Sequence, residues 1–143
     1  MEQPELARNV VDKMYNGDAF SQWLGIERVK VAPGNCVLRM TVRPEMTNGF
    51  GIAHGGITYS LADSALAFAA NAHGRMAVSV ETSISHTEQL KAGDVITATA
   101  EEMSLTNKIA IYHITVRNAT GKTVALFKGT VYRSEREWFP AQS

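Results

Sequence analysis

One short stretch of the chain combines residue types that could do chemistry on a polar bond. It runs from Asn48 to the triplet His54-Gly55-Gly56 and leads into a long apolar segment that carries one acid, Asp63. Glycine amides at the start of a helix favour the binding of developing negative charge. A carboxylate within an otherwise apolar helix is energetically costly, so it usually has a task. The stretch therefore predicts a functional site.

The elements that must position these residues follow from hydrophobic periodicity. Apolar residues at helical spacing predict a helix over 5–16, and Asp18 is placed to cap a short one over 19–24. The segment 55–73 is apolar nearly all round, which predicts a helix wrapped by other structure and stopped by Gly74. Strand-like segments cover 26–31, 35–43, 76–88, 94–104, 108–118 and 122–133. The polar tail after Arg133 is expected to pack loosely.

The short connections between these strands favour antiparallel neighbours. An antiparallel sheet wrapped around one apolar helix buries both the helix and one face of the sheet, so we predict an α+β fold. The 143 residues suit a single domain (1–143), with a core over about 18–134 and the N-terminal helix beside it. The second sheet face and the strand edges favour oligomerisation.

Composition excludes several classes of function. Fourteen basic residues balance 14 acidic ones, which argues against a nucleic-acid or membrane-surface binder that depends on bulk charge. The lone cysteine, Cys36, cannot form an intrachain disulfide and lies in a strand pattern typical of a packed thiol. The acidic N-terminus and the short apolar runs predict no secretory signal and no membrane span, hence a cytoplasmic protein. No motif predicts a metal or another cofactor.

The predicted arrangement resembles the hotdog fold, and its motifs resemble those of the PaaI-like branch of hotdog acyl-CoA thioesterases. The resemblance covers about residues 9–132. Its best-matching parts are Met46-Thr47-Asn48-Gly49, His54-Gly55-Gly56 and Ser60-Leu61-Ala62-Asp63-Ser64-Ala65, followed by Leu90-Lys91-Ala92-Gly93-Asp94 and residues 123–129. A lone His-Gly-Gly triplet is a weak signal, whereas this triplet with Asn48 before it and Asp63 after it is specific.

The resemblance implies a thioesterase whose site residues can be assigned by position. Gly55 would donate its backbone N–H to the thioester carbonyl, and Asp63 would be the nucleophile or the general base for water. Asn48 and His54 would orient the acyl group, the water or the glycine loop, and Ser79 would assist the water. The substrate-binding residues would be Gly56, Tyr59, Phe50 and Thr82. Coenzyme A would enter only as part of the substrate.

One departure from the family pattern concerns coenzyme A. Relatives often carry a basic residue before a proline near the end of the strand after the helix, where this chain reads Thr87-Glu88-Gln89. The contact to the coenzyme A phosphates is then absent or made elsewhere. The candidates are Lys91, Arg75, Lys108, Lys128, Arg133 and Arg136.

Helix geometry predicts a site shared between subunits. Asp63 lies eight residues after Gly55, which is about 12 Å along a helix axis. One carbonyl carbon cannot contact both groups of the same chain. Two such helices packed antiparallel about a two-fold axis would bring each Asp63 towards the partner's Gly55. We therefore expect a homodimer with shared sites, and a homotetramer of two dimers by analogy with relatives.

Other interpretations remain open at this stage. Asp63 could be a structural acid that pairs with a lysine or caps a loop amide, His54 a helix cap, and Asn48 a turn residue. The alternative functions are an acyl-thioester dehydratase or hydratase and a non-catalytic acyl-CoA-binding module. Phenylacetyl-like acyl groups are plausible by family analogy, and medium aliphatic groups stay possible.

Overall fold

A six-stranded antiparallel sheet and one central helix dominate the computed structural model, which describes residues 1–140. The helices are α1 (Gln3–Asn16), α2 (Ala19–Leu24) and α3 (Gly55–Asn71), and a 3₁₀ turn covers Pro44–Met46. The strands are β1 (Glu27–Ala32), β2 (Asn35–Thr41), β3 (Arg75–His86), β4 (Val95–Leu105), β5 (Ile109–Asn118) and β6 (Thr123–Glu137). The strand order is β1-β2-β4-β5-β6-β3. This is the predicted hotdog architecture, with α3 packed against the sheet.

Helix α3 lies on the face of the sheet to which alternate strand residues point. Leu61, Leu66 and Phe68 are fully buried there, against side chains such as Ile114 of β5. At Gly129 of β6 the helix approaches the sheet closely, since a Cβ at that position would lie 2.5 Å from Leu66 Cδ2. Only the missing side chain lets the helix approach the sheet this closely.

Two predicted boundaries were wrong at the C-terminal ends of α3 and β6. Helix α3 ends at Asn71 instead of residue 73, and Gly74 follows with φ +108°. Strand β6 continues to Glu137, which pairs with Arg75 of β3. Residues 134–137 therefore do not pack loosely, because β3 offers them a hydrogen-bonding edge that their polar composition does not reveal. Residues 141–143 of the predicted tail lie outside the described residues.

The N-terminal helices are fixed against this core. Helix α1 buries Ala7, Val10 and Val11. Asp18 caps α2 by accepting a hydrogen bond from the Ser21 N–H (2.9 Å), and the Ser21 hydroxyl lies 2.8 Å from that of Ser64 on α3. The cap predicted from sequence is thus present, and it ties α2 to the central helix.

Strand β3 forms one edge of the sheet and is unusually exposed. The side chains of Val78 and Val80 are 64% and 61% exposed. An edge strand with exposed apolar side chains is a template for pairing with another chain. Within residues 1–140, no helix is long and apolar enough to cross a membrane.

Candidate active site

The first turn of α3 presents a backbone donor and an oriented imidazole. His54 is the N-cap residue, and its Nδ1 accepts a hydrogen bond from the Gly56 N–H (2.9 Å). A backbone N–H can only donate, so Nδ1 is unprotonated and the ring proton of the neutral imidazole lies on Nε2. The Gly55 N–H has no acceptor among residues 1–140. It is one of the orphan donors at the positive end of the helix dipole.

The free amide borders a small cavity that His86 helps to form. Gly55 lines this cavity of about 190 Å³ together with Asn48, Thr58 and His86. A Cβ on residue 55 would lie 3.2 Å from His86 Nε2. The Thr58 hydroxyl contacts both the Gly55 carbonyl (3.3 Å) and His86 Nδ1 (3.3 Å). Glycine at this position therefore leaves room for both the imidazole and an incoming ligand.

Asn48 shapes the loop that precedes the helix. Its Oδ1 accepts hydrogen bonds from the Phe50 N–H (2.9 Å) and the Ile52 N–H (3.4 Å), as an Asx turn does. The side-chain NH₂ group has no acceptor among residues 1–140, and Asn48 lines the Gly55 cavity. Phe50 stands at the tip of this loop and is 89% exposed. The loop geometry matches the structural interpretation of Asn48 and leaves its amide free to contact a ligand as well.

Asp63 lies in a different and larger cavity, of about 490 Å³, which Ser79 also lines. Burial raises the pKa of the Asp63 carboxyl above its usual range, and no neighbouring charge or hydrogen bond opposes that shift. Within residues 1–140 the carboxylate has no ion-pair partner, so the lysine pairing considered from the sequence is wrong for these residues. A half-buried acid with an unopposed pKa shift beside a cavity is typical of a functional group.

The structure divides the predicted site residues into groups. Asn48 lies with Gly55 in one cavity, and Asp63 with Ser79 in the other. His54 and Gly56 line a third groove, next to the start of α3. The hydroxyls of Tyr59 and Thr82 lie 2.6 Å apart, and the Tyr59 ring packs edge-on against Phe127. Within residues 1–140, Gly55 and Asp63 therefore line separate cavities.

Sequence reasoning missed two residues that border the Gly55 amide. No motif in the sequence includes His86, and Thr58 lies within the segment predicted as an apolar helix. The alternation along β3 could have indicated that His86 shares a face with Thr82 and Ile84, since all have even numbers. Nothing in the sequence indicated that this end of β3 lies against the first turn of α3.

Comparisons with known proteins agree with this fold and site. The family model described as "Thioesterase superfamily" matches residues 50–125. The chain is 40% identical over 120 residues to the acyl-coenzyme A thioesterase PaaI of Escherichia coli, covering 84% of this chain and 86% of that one. It is 37% identical over 136 residues to a putative esterase of Archaeoglobus fulgidus, covering 95% and 88%. The solved structure of the E. coli PaaI protein superposes with a TM-score of 0.92 at 36% identity, covering 95% and 99%.

These findings define the class of the protein. The fold is that of the hotdog enzymes, as predicted. The chain belongs to the thioesterase superfamily, in its PaaI-like branch, and is a thioester hydrolase.

Proposed function

We propose that this protein hydrolyses a small acyl- or aryl-acyl-CoA thioester, such as phenylacetyl-CoA, in active sites shared between two subunits. The observation that carries the proposal is a pair of groups without partners among residues 1–140: the Gly55 N–H has no acceptor there, and the desolvated Asp63 carboxyl has no ion-pair or hydrogen-bond partner. The first can stabilise an oxyanion and the second can attack or activate water. The naming of E. coli PaaI as an acyl-coenzyme A thioesterase supports coenzyme A as the carrier.

The course of β3 beside α3 supports a shared site. The end of β3 at His86 lies against Gly55 at the start of α3, whereas Ser79 near the beginning of β3 shares a cavity with Asp63. The strand and the helix therefore run in opposite directions. If two β3 edges pair antiparallel, the His86 end of one strand meets the Ser79 end of the other. Such pairing would cover the exposed Val78 and Val80 and bring Gly55 towards the partner's acid.

In this arrangement the thioester carbonyl oxygen accepts a hydrogen bond from the Gly55 N–H. Asp63 of the other subunit either attacks the carbonyl carbon, giving an anhydride that water then hydrolyses, or removes a proton from the attacking water. In the proposal, Ser79 and the Nε2–H of His54 orient the water and the acyl group. The carbon–sulfur bond breaks, and the thiolate leaves as coenzyme A and takes up a proton. Net addition of water gives a carboxylic acid and a thiol.

The proposal also covers which residue contacts the coenzyme A phosphates and where two dimers meet in a tetramer. Arg75 and Arg133 donate to backbone carbonyls, and Lys128 pairs with Glu81. Lys91 follows Leu90, which lines the Gly55 cavity, so we assign it the phosphate contact. We assign the contact between two dimers of a tetramer to the exposed sheet face that carries Leu126, which is 50% exposed.

Complementation between inactive subunits tests the shared site. The amide donor can be deleted alone, because proline removes the N–H and is well tolerated at the first position of a helix. Gly55→Pro and Asp63→Ala homodimers should both lose turnover of phenylacetyl-CoA, followed by thiol release. Mixed dimers should regain up to one active site per dimer, while the remaining site carries both substitutions. An Asp63→Ala protein that keeps wild-type turnover would overturn the assignment of the acid, and inactive mixed dimers would overturn the sharing.

A further inference from the structure

The C-terminal end of β6 places a tryptophan in the cavity of the proposed catalytic acid. After Glu137 the chain turns, and the backbone N–H of Trp138 donates to the Gly74 carbonyl (2.9 Å). The indole Nε1–H donates to Asn71 Oδ1 (2.9 Å). The indole then lines the same cavity of about 490 Å³ as Asp63. None of the motifs found in the sequence includes this residue.

Asn71 holds the indole in place through a fully satisfied set of hydrogen bonds. The side chain is 2% exposed. Its NH₂ group donates to the carbonyls of Ala67 (2.8 Å) and Ala77 (3.0 Å), and its Oδ1 accepts from the Ala77 N–H (2.9 Å) as well as from Trp138. A buried polar group with every hydrogen bond made fixes its neighbours in one arrangement. The position of Trp138 is thereby set by the end of α3 and the start of β3.

The cavity runs along one face of α3 from the acid to the indole. Asp63, Ala67 and Asn71 are spaced four residues apart, so they lie on the same helix face, with about 12 Å along the axis between the first and the last. The walls between them are apolar and include Met14, Leu66 and Val131. The volume falls within the range of roughly 300–1,000 Å³ typical of ligand pockets. The acid thus lies at one end of an apolar pocket and Trp138 at the other.

We propose that Trp138 is the end wall of the acyl pocket and limits the size of the acyl group that the enzyme hydrolyses. The inference rests on the proposed function, because it places the carbonyl at Asp63 and the acyl tail along α3. The flat, rigid indole favours an aromatic ring or a short chain that ends against it. Asn71 is the positioning residue for this wall.

A second groove is the alternative candidate for the acyl pocket. It lies beside His54 and Gly56 and is lined by Phe20 and Trp23, whose rings stack with centroids 6.0 Å apart. These rings are 53% and 49% exposed. The carboxylate of this groove, Glu45, is exposed and ion-paired with Arg43. The Asp63 carboxyl of the Trp138 cavity is half-buried and has no ion-pair partner within residues 1–140. The two candidate pockets each contain one of the two tryptophans of the chain.

Because each pocket contains one tryptophan, tryptophan fluorescence can show which pocket binds the acyl group. In an Asp63→Asn background, Trp23→Phe leaves Trp138 as the sole tryptophan, and Trp138→Phe leaves Trp23. Each protein is titrated with phenylacetyl-CoA and octanoyl-CoA, and free coenzyme A is the control for the carrier. We expect saturable changes in Trp138 emission with the acyl thioesters that free coenzyme A does not produce. A response from Trp23 alone would overturn the inference in favour of the second groove.

A kinetic test measures how Trp138 limits the length of the acyl chain that is hydrolysed. Thioesters from acetyl- to dodecanoyl-CoA are compared for wild type, Trp138→Phe and Trp138→Ala, with Phe139→Ala as the neighbouring control. One methylene more or less in an apolar pocket changes kcat/KM by about 10-fold or more. Removing the wall should therefore favour longer acyl chains by about that factor for each extra methylene that fits. The ratio of kcat/KM for long over short chains should therefore rise in the order wild type, Phe, Ala, and should stay unchanged in the control.

The outcomes separate the two proposals. A wild type that hydrolyses acyl-CoA, with the same chain-length preference in folded Trp138→Phe and Trp138→Ala, would overturn the inference and leave the proposed function intact. A wild type that hydrolyses none of the thioesters would overturn the proposed function and this inference with it. If Trp138→Ala fails to fold, Trp138→Phe alone must still shift the ratio.

Discussion

The role of the Gly55 amide can be tested with two substitutions that differ by one hydrogen-bond donor. Alanine and proline at residue 55 both place a Cβ near His86 Nε2, about 3.2 Å away, so both require a small shift of that ring. Only proline removes the N–H. His54 has φ −62° and ψ 137°, which is the conformation that a residue before proline prefers. The proline variant should therefore fold as well as the alanine variant.

The expected loss follows from what the missing donor does. Deleting one oxyanion donor lowers kcat by about 10²–10³, or roughly 2.7–4 kcal/mol. We expect this difference in kcat between Gly55→Pro and Gly55→Ala, with KM changed much less because the bond strengthens in the transition state. Thiol release from phenylacetyl-CoA measures kcat and KM, and thermal unfolding checks that both variants remain folded. A Gly55→Pro enzyme with kcat within threefold of Gly55→Ala would refute the oxyanion role of this amide.

Four further predictions concern stability and assembly. Because burial raises the pKa of Asp63, its ionisation destabilises the native state above the usual carboxyl pKa of about 3.9. Asp63→Asn should then abolish activity yet raise the melting temperature at pH 7, a gain that shrinks as the pH falls towards 4; exposed Asp12→Asn should give no gain. Gly129→Ala should lower the free energy of unfolding in urea by about 1–3 kcal/mol, since its Cβ would overlap a leucine of α3. Val80→Lys should dissociate the dimer in light scattering and abolish turnover without unfolding the monomer, and an unchanged dimer would exclude pairing through β3. Burial raises the pKa of Cys36 to about 12, so a thiol reagent should label it at pH 8 only after unfolding.

Local patterns in the sequence were sufficient to predict the elements and their layers. Periods of two and of 3.6 residues identified the strands and the central helix, and short turns identified antiparallel neighbours. These signals are reliable because a residue's face in a strand or helix depends on its spacing alone. The predicted ends at residues 73 and 133 were wrong. Strand β6 continues to Glu137 because it pairs with β3, which lies far from it in the chain, and Asn71 at the end of α3 is hydrogen-bonded to Ala77 of β3.

The same distinction applies to the site. The sequence was sufficient to select the motif residues, because a lone acid and bare glycines are unusual in an apolar segment; they are Asn48, His54, Gly55 and Asp63. The rise per residue of a helix also predicted that Gly55 and Asp63 of one chain lie too far apart to contact the same carbonyl carbon. Their chemical roles stay predictions until the variants are measured. The tautomer of His54 and the contact of His86 with Gly55 required the folded chain.

What the sequence by itself determined is therefore the class of fold, the family and the residues that carry its motif. The tertiary structure alone decided which of those residues share a cavity, and it added Trp138 to the acid's pocket. The physical reason is that motif recognition depends on neighbours along the chain, whereas cavities form where distant segments pack. Residues 63 and 138 line one cavity only because β6 pairs with β3 and Asn71 holds the Trp138 indole.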